Sequence, residues 1–354
     1  MTRAIPLPGI PDVESPLFEK IFQAKDVSAQ TRDIARDLHK NGFAVFDFPE
    51  PALDQLAANI IRSLDSSYDW DGWRKGTTPG LRVQDAWKSV PEVKRIACNP
   101  QIIQLLSDLY GRRAFPFQTL NFPVGTQQHF HSDSAHFSSS PERFMAGVWV
   151  ALEDIDLDNG PLMYYPGSHV LPVITNEHTG VNPDTGGDSH SHYTSYERAW
   201  EAIVDGLGLK PVHFQAKKGQ ALIWAANLLH GGAPQKDPRR TRYSQVTHYY
   251  FEGCTYYTPL GSVPLLGSIE YRDIVDISTG KHVPNMLNGL PVSKEQIQHA
   301  SLVIDQPPDP SRPKLPPGFD GKAYLKANPD VAEAQVDPAK HWLEFGYLEG
   351  RPLR

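Results

Sequence analysis

Cysteine is scarce in this chain of 354 residues, which contains only Cys98 and Cys254, far apart in sequence. Two isolated cysteines cannot build a disulfide framework, and they lack the paired spacing of a zinc finger. A reducing, cytoplasmic location is therefore expected. A chain of this length can bury a sufficient apolar core without such cross-links.

Long apolar runs and blocks of positive charge are also lacking. The longest apolar run, ALIWAANLL at 221–229, is far shorter than a membrane span. The first residues lack the apolar segment of a signal peptide. The net charge is −7 without a basic block, which disfavours a nucleic-acid surface. The sequence therefore predicts neither membrane insertion nor nucleic-acid binding.

Helical patterns occupy the first third of the chain, and short strand patterns follow them. The helical patterns lie at 15–24, 28–41, 51–64 and 100–110, with one short strand at 42–48. The later strand patterns are AFPFQTLNF, RFMAGVWVALEDI, PLMYYPGS, PVHFQA, QALIWAA and RYSQVTHYYF. Strands that follow helices, without alternating with them, predict a mainly β fold with a helical flank, in the form of an antiparallel sandwich or jelly roll.

Composition divides the chain into four expected segments. These are a flexible arm at 1–14, a main domain at 15–304, a proline-rich linker at 305–318 and a small helical module at 319–354. The module is expected either to bind a protein partner or to pack back on the domain. Within the main domain, the polar insertion at 174–200 predicts a lid, a binding loop or a disordered segment.

The segment QQHFHSDSAHF, residues 127–137, concentrates side chains that bind metals. In a strand, His131 and Asp133 would share one face, because alternate side chains point the same way. His230, at the end of ALIWAANLLH, is the best third ligand. Two histidines and a carboxylate form the facial triad of non-haem iron(II) enzymes. His129 has the same parity as His131, and we expect it to support the site rather than bind the metal.

A second group of candidates follows the third ligand. Alternation in RYSQVTHYYF places Arg242, Ser244, Val246 and His248 on one face. An inward guanidinium requires an anion, and its planar fork suits a carboxylate. Arg242 and Ser244 therefore predict a clamp for a dicarboxylate. Arg239 and Arg240 are competing candidates, but strand alternation favours Arg242.

Three further residues are candidate substrate contacts: His136, Trp149 and His192. For Trp149 the alternative is core packing, because tryptophan is usually buried. For His192, in the polar insertion, the alternative is exposure to solvent.

The order of these elements resembles the phytanoyl-CoA dioxygenase family of iron(II)/2-oxoglutarate oxygenases. The stretch GVWVALEDIDLDNGPLMYYPGSH, residues 147–169, is similar to the family's tryptophan strand, Asn-Gly turn and Pro-Gly-Ser-His end. The resemblance covers roughly residues 30–260. It implies a double-stranded β-helix (jelly-roll) core, with O2 as the second cosubstrate. It also assigns iron to His131, Asp133 and His230, and 2-oxoglutarate to Arg242 with Ser244. Asn121 would contact the cosubstrate.

The resemblance implies a dioxygenase that hydroxylates or otherwise oxidises an unactivated C–H bond, releasing succinate and CO2. The insertion is polar and contains one arginine, Arg198, which favours a small polar metabolite over a long acyl chain or a coenzyme A thioester. Asp133 is present, whereas halogenating relatives lack this carboxylate. Two other functions are retained as alternatives: a redox-neutral metal-dependent isomerase or hydrolase, and a non-catalytic adaptor that acts through 319–354.

Overall fold

The structure, a computed structural model, describes most of the main domain and part of the C-terminal segment. The described residues are 7–78, 80–182, 189–293, 295, 297, 315–316, 319–333, 337–342, 346 and 350–353. The chain divides into two compact units, Met1–Ser301 and Leu302–Arg354. In this described part of the chain, no helix has the length and apolar character needed to cross a lipid bilayer.

The helices of the first unit lie mainly before the β core. They are α1 (Phe18–Ala24), α2 (Ala29–Asn41), α3 (Leu53–Leu64), α4 (Trp70–Lys75), α5 (Pro91–Ala97), α6 (Pro100–Tyr110), α7 (Asn176–Thr179) and α8 (Ser189–Leu207). The helix predicted at 28–41 is confirmed as α2, and its ends show why. The Ser28 side chain accepts a hydrogen bond from the Thr31 amide at 3.0 Å, and Gly42 ends the helix in the left-handed conformation.

The strands of the described residues form five sheets, and the two largest of these make the core. They are β1 (Phe43–Asp47), β2 (Val83–Gln84), β3 (Ala114–Phe122), β4 (Ser138–Ser140), β5 (Met145–Ala151), β6 (Leu162–Tyr164), β7 (Val212–Phe214), β8 (Gln220–Ala225), β9 (His230–Gly232), β10 (Ser244–Phe251), β11 (Thr255–Tyr257), β12 (Ile274–Asp276), β13 (Lys281–Val283), β14 (Met286–Leu287) and β15 (Leu290–Pro291). The larger sheet has the order β1-β8-β5-β10-β3-β2, and a smaller sheet has the order β7-β6-β9. All of their pairings are antiparallel. The predicted jelly roll with a helical flank is confirmed.

Alternation along the strands separates two apolar layers. Along β5, Trp149 and Ala151 belong to a buried cluster that contains residues of both sheets, so this cluster lies between them. Val148 and Val150 point the other way, into a cluster shared with the helices that flank the larger sheet. The larger sheet is thus buried on both faces, and its inner face is available to build a cavity.

The N-terminal arm is packed on the domain over its described part, which corrects the expectation of flexibility for residues 7–14. The carbonyl of Pro8 accepts a hydrogen bond from Arg112 at 2.6 Å. The Val13 carbonyl accepts one from His39 at 2.7 Å, and Glu14 forms an ion pair with Arg143 at 2.9 Å. Residues 1–6 of the predicted arm lie outside the described residues.

The buried Glu14 side chain predicts a pH-dependent stability. Burial raises its pKa to about 7, although the charge and hydrogen bond of Arg143 oppose the shift. The folded state then binds the proton more tightly than the unfolded state, so the free energy of unfolding falls as pH rises from about 4.5 to 7. Glu14→Gln is expected to remove this decline, which is on the order of 3 kcal/mol. Urea denaturation at several pH values measures this decline in the free energy of unfolding.

Glu142→Gln is an exposed control and should keep the wild-type dependence of the free energy of unfolding on pH. Parallel profiles for all three proteins would contradict the prediction.

The described residues of the insertion at 174–200 include two helical segments, α7 and most of α8. The side-chain Nδ2 of Asn176 donates to the carbonyls of Pro259, Leu260 and Ser262, at 2.9 to 3.1 Å. Tyr196 donates to the side-chain oxygen of Asn176 at 2.9 Å, and Tyr196 and Trp200 are buried. The insertion is therefore anchored to the domain. Residues 183–188 lie outside the described residues.

The second unit contains three short helices, α9 (Gly321–Ala327), α10 (Pro329–Glu333) and α11 (Pro338–His341). The module expected at 319–354 thus contains helices over its described part. Its suggested use by a protein partner stays a prediction. Of the expected linker at 305–318, only 315–316 belong to the described residues.

Candidate active site

Two histidines and an aspartate meet at one end of the jelly roll. Ligand atoms of His131, Asp133 and His230 all lie within 4.8 Å of one another, and all three residues are buried. Nε2 of His131 is 3.7 Å from Oδ1 of Asp133, and Nε2 of His230 is 3.9 Å from its Oδ2. In the part of the chain that the structure describes, this is the one such group of three or more metal-binding side chains. We refer to these three residues as the triad.

Backbone pairing brings the triad together from distant parts of the sequence. His131 and His230 form an isolated antiparallel bridge, with reciprocal N–H···O bonds of 2.8 and 2.9 Å. Asp133 does not continue the strand as the sequence predicted, because it opens a short 3-10 turn. Gly231 permits the close approach: a Cβ at this position would lie 2.7 Å from the carbonyl oxygen of Gln128.

Both triad histidines present the same ring nitrogen to the centre. Nδ1 of His131 lies 3.1 Å from the carbonyl oxygen of His129, and Nδ1 of His230 lies 3.0 Å from that of Leu228. A carbonyl can only accept, so each Nδ1 carries the proton and each Nε2 is left with a free lone pair. This tautomer is the one that binds a metal through Nε2.

The Asp133 carboxylate is held by a tryptophan. Trp224 donates from Nε1 to Oδ2 of Asp133 at 2.8 Å, and its ring packs 4.8 Å from that of His230. Gly147, on the neighbouring strand, makes room for the indole, because a Cβ there would lie 2.1 Å from the ring. The indole thus orients a buried carboxylate toward the two imidazoles.

The electrostatics of the triad favour a charged Asp133 beside a neutral His131. Burial opposes ionisation of Asp133, but His230, His248 and His131 together hold its pKa well below its usual range. Burial and the neighbouring His230 lower the pKa of His131 to about 3. Neutral imidazoles and an ionised carboxylate are the forms that coordinate a cation. The donor set and its protonation therefore fit iron(II).

Arg242 lies in the same cavity as the triad and is fully buried. Its Nε donates to the carbonyl of Gly160 at 3.2 Å, and its Nη1 donates to Oγ of Ser244 at 2.7 Å. Among the described residues no carboxylate lies within 4.0 Å of this guanidinium. Burial lowers the pKa of Arg242 to about 10, although the charge of Glu153 opposes the shift. A buried cation that contacts only neutral oxygens has capacity for an anion.

The competing arginines are occupied elsewhere. Arg239 pairs with Asp237, and Arg240 pairs with Asp156, each through exposed or half-buried side chains. The structure thus distinguishes Arg242 from its two neighbours in sequence.

Trp149 stands beside Arg242 in the cavity wall, with its ring centroid 5.8 Å from the guanidinium carbon. Its Nε1 is buried and has no hydrogen-bond partner. An unpaired donor next to an unpaired cation fits a carboxylate ligand. Trp149 is buried in the core and also lines the cavity at the Arg242 end, and its suggested contact with the substrate stays a prediction.

The cavity has a volume of about 410 Å³. Besides the triad, Arg242 and Trp149, its wall includes Arg82, Gln118, Phe122, Gln128, His136, Phe137, Val246, His248, Thr258, Glu270 and Arg272. His136 lies in this wall, and its ring is 5.1 Å from that of Tyr193 on α8. His192, the adjacent residue, is half-buried and does not contribute to the wall. His129 turns outward and pairs with Glu201 at 3.0 Å.

Asn121 does not reach the cavity, which corrects the suggested cosubstrate contact. On β3, Gln118, Leu120 and Phe122 face the cavity, so Asn121 has the opposite parity. Its side chain instead donates to Gln245, its direct partner on β10, at 3.3 Å.

Four residues near the triad had no role assigned from the sequence: Tyr193, Trp224, His248 and Arg272. The available signal for Trp224 was its alternation with Leu222 on β8, which turns both side chains toward the space between the sheets. His248 shares the parity of Arg242, and its Nε2 lies 3.6 Å from Oδ2 of Asp133. Tyr193 lies on α8, and Arg272 lies just before β12. No local sequence pattern predicts that these segments pass near the cavity.

The sequence of this chain is similar to known proteins of one family. A family model described as "Phytanoyl-CoA dioxygenase (PhyH)" matches residues 28–241. "Phytanoyl-CoA dioxygenase, peroxisomal" of Rattus norvegicus is 26% identical in an alignment of 205 positions that covers 53% of this chain and 56% of the rat protein. "Phytanoyl-CoA dioxygenase domain-containing protein 1 homolog" of Caenorhabditis elegans is 25% identical in an alignment of 254 positions that covers 64% of this chain and 81% of that protein. The match spans little more than half the length of the rat relative.

Solved structures share the fold at low sequence identity. The "non-heme alpha ketoglutarate dependent carbocyclase SnoK from nogalamycin biosynthesis" superposes with a TM-score of 0.50 and 16% identity, over 65% of this chain and 87% of the other. The "epimerase SnoN in complex with Fe3+, alpha ketoglutarate and nogalamycin RO" gives a TM-score of 0.50 and 19% identity, over 76% and 97%. Both likenesses support the jelly-roll architecture.

Proposed function

The chain belongs to the phytanoyl-CoA dioxygenase family of iron(II)/2-oxoglutarate oxygenases, and on that premise we propose that it is a dioxygenase acting on a small polar molecule. The observation that carries the proposal is one cavity that contains both the triad and an unpaired, buried Arg242. A redox-neutral metal enzyme would need no keto acid, which would leave this guanidinium without the cosubstrate partner proposed for it.

The roles of this chain's residues follow from the site. His131, Asp133 and His230 hold iron(II), and Trp224 keeps the carboxylate in place. Arg242, Ser244 and Nε1 of Trp149 receive the distal carboxylate of 2-oxoglutarate. When bound, iron(II) with 2-oxoglutarate and O2 supplies the oxidation of a C–H bond, releasing succinate and CO2. The protein's contribution is to orient the reactants and limit access of water.

The cavity wall supports a small polar substrate. Hydrogen-bonding side chains such as Gln118, Gln128, His136 and Thr258 are interspersed in the wall with apolar side chains such as Leu120 and Phe137. A long acyl chain requires an apolar tunnel, whereas this cavity of about 410 Å³ holds 2-oxoglutarate and little more than a small molecule beside it. The substrate class of this chain is thus proposed to differ from the one in the family name.

Anaerobic titration tests the proposed cosubstrate. The iron(II)-loaded protein is titrated with 2-oxoglutarate, and we expect a weak, saturable visible charge-transfer band. Succinate, which lacks the keto group, is the matched control and should give no band. A protein that binds iron(II) but never develops the band with 2-oxoglutarate would instead support a redox-neutral metal enzyme.

A further inference from the structure

A second arginine, Arg272, faces the cavity without an acidic partner. Its Nη1 is 3.4 Å from the carbonyl of His136 and 3.3 Å from Oγ1 of Thr258, and its guanidinium stacks 4.8 Å from the ring of Phe137. Its Nε is buried and has no hydrogen-bond partner. Among the described residues no carboxylate lies within 4.0 Å of its guanidinium. A cation held by two long, neutral contacts has capacity for a stronger acceptor.

Arg272 is separate from the arginine assigned to the cosubstrate. Arg242 contacts Gly160, Ser244, Phe122 and Trp149, whereas Arg272 contacts none of these. Arg272 instead lies beside His136, whose pKa is lowered by burial and by the charges of Arg272 and Arg82, against the effect of Asp133. The two arginines thus form separate cationic regions in the wall of the cavity that also contains the triad.

We propose that Arg272 binds a carboxylate of the substrate, so that the enzyme acts on a small organic acid. This inference rests on the proposed function, since it takes the Arg242 region as filled by 2-oxoglutarate. Iron(II) and Arg242 are then balanced by Asp133 and the cosubstrate dianion. The remaining charged groups of the wall are Arg82, Arg272 and Glu270, which leave one positive charge unmatched. A substrate with one carboxylate restores neutrality.

The backbone of Arg272 is held in place by hydrogen bonds. Its backbone amide donates to the carbonyl of Tyr256 at 2.9 Å, and its own carbonyl accepts from Asn285 at 3.3 Å. The guanidinium is therefore presented from a fixed point of the wall. It also lies outside residues 28–241, so the family match assigns it no role. The acid-binding group is thus a feature of this chain's own C-terminal segment of the domain.

A carboxylate suits this wall better than a phosphate. Glu270 lines the same cavity, and a phosphate dianion would bring two negative charges toward it. Burial raises the pKa of Glu270, although Arg272 opposes the shift. Arg82, which is exposed at the same wall, adds long-range attraction for an anion.

Paramagnetic relaxation provides a test that does not depend on turnover. Mn(II), a redox-inert substitute, is bound to the triad under saturating 2-oxoglutarate, and acetate is added as the probe at constant ionic strength. We expect saturable relaxation enhancement of the acetate methyl protons. Acetamide, which has the same shape without the charge, should show little. Arg272→Gln should weaken acetate binding about tenfold or more, and Arg272→Lys should retain part of it.

Controls distinguish the possible outcomes. Arg36→Gln, on the exposed face of α2, should leave acetate binding unchanged. Thermal melts show whether Arg272→Gln is folded, and Arg272→Lys keeps the test decisive if it is not. Absent enhancement in the wild type, equal enhancement by acetamide, unchanged binding in Arg272→Gln, or a larger loss with Arg82→Gln would each overturn the inference. Failure of Mn(II) to bind, seen in water-proton relaxation, would overturn the proposed function as well.

Discussion

Asp133→Asn is expected to lower the affinity for iron(II) by at least about a hundredfold and to abolish turnover. Loss of residues that merely support metal ligands costs 10- to 100-fold, and a charged ligand contributes more. Asparagine keeps the shape and can still accept the hydrogen bond from Trp224, so the change isolates the charge. Anaerobic titration with iron(II), detected by isothermal titration calorimetry, measures the loss of affinity.

The control for this change is Asp47→Asn, which removes an exposed carboxylate from β1. Its affinity for iron(II) should equal that of the wild type. If Asp133→Asn bound iron(II) as tightly as Asp47→Asn, Asp133 would not be a ligand and the triad would need another member.

Arg242→Gln is expected to weaken 2-oxoglutarate binding by about 2–5 kcal/mol, the usual cost of truncating one partner of a buried charge pair. This corresponds to a loss of roughly thirtyfold to several thousandfold in affinity. Binding of iron(II) should be nearly unchanged, because Arg242 contacts Gly160 and Ser244 and no member of the triad. The dissociation constant from the anaerobic charge-transfer titration checks the effect.

Arg240→Gln supplies a matched comparison, since it removes the same group from a surface ion pair with Asp156. Surface pairs contribute about 0–1 kcal/mol, and this one does not face the cavity. Equal effects of the two substitutions on 2-oxoglutarate affinity would show that Arg242 does not bind the cosubstrate. Arg242→Lys should lie between the wild type and Arg242→Gln, because lysine keeps the charge and loses the fork.

Local signals were sufficient for most secondary structure. The helix predicted at 100–110 coincides with α6 because Asn99 caps its first amides and Gly111 ends it in the left-handed conformation. The strand predicted at 114–122 coincides with β3. The arm was expected to be flexible because its proline-rich sequence has no periodicity. Its described residues, 7–14, are instead held by tertiary contacts with Arg112, His39 and Arg143.

In the candidate site, too, local alternation predicted some residues correctly, whereas tertiary pairing decided others. Parity along RYSQVTHYYF correctly groups Arg242, Ser244 and His248, because alternation is a local property of a strand. The prediction for Asn121 was wrong because the face of the sheet on which its side chain lies depends on the register between β3 and β10. Asn121 pairs with Gln245, which has the opposite parity to Ser244, and register is set by pairing with another strand.

The sequence by itself determined the helices with their caps, the strand pattern of a jelly roll and the residue types able to bind iron(II) and a dicarboxylate. Only the tertiary structure decided which of these residues meet: the bridge between His131 and His230, the indole of Trp224 on Asp133, and Arg272 in the cavity wall. The physical reason is range. Capping and alternation act over a few residues, whereas a cavity is built by contacts between segments about a hundred residues apart, which no local pattern specifies.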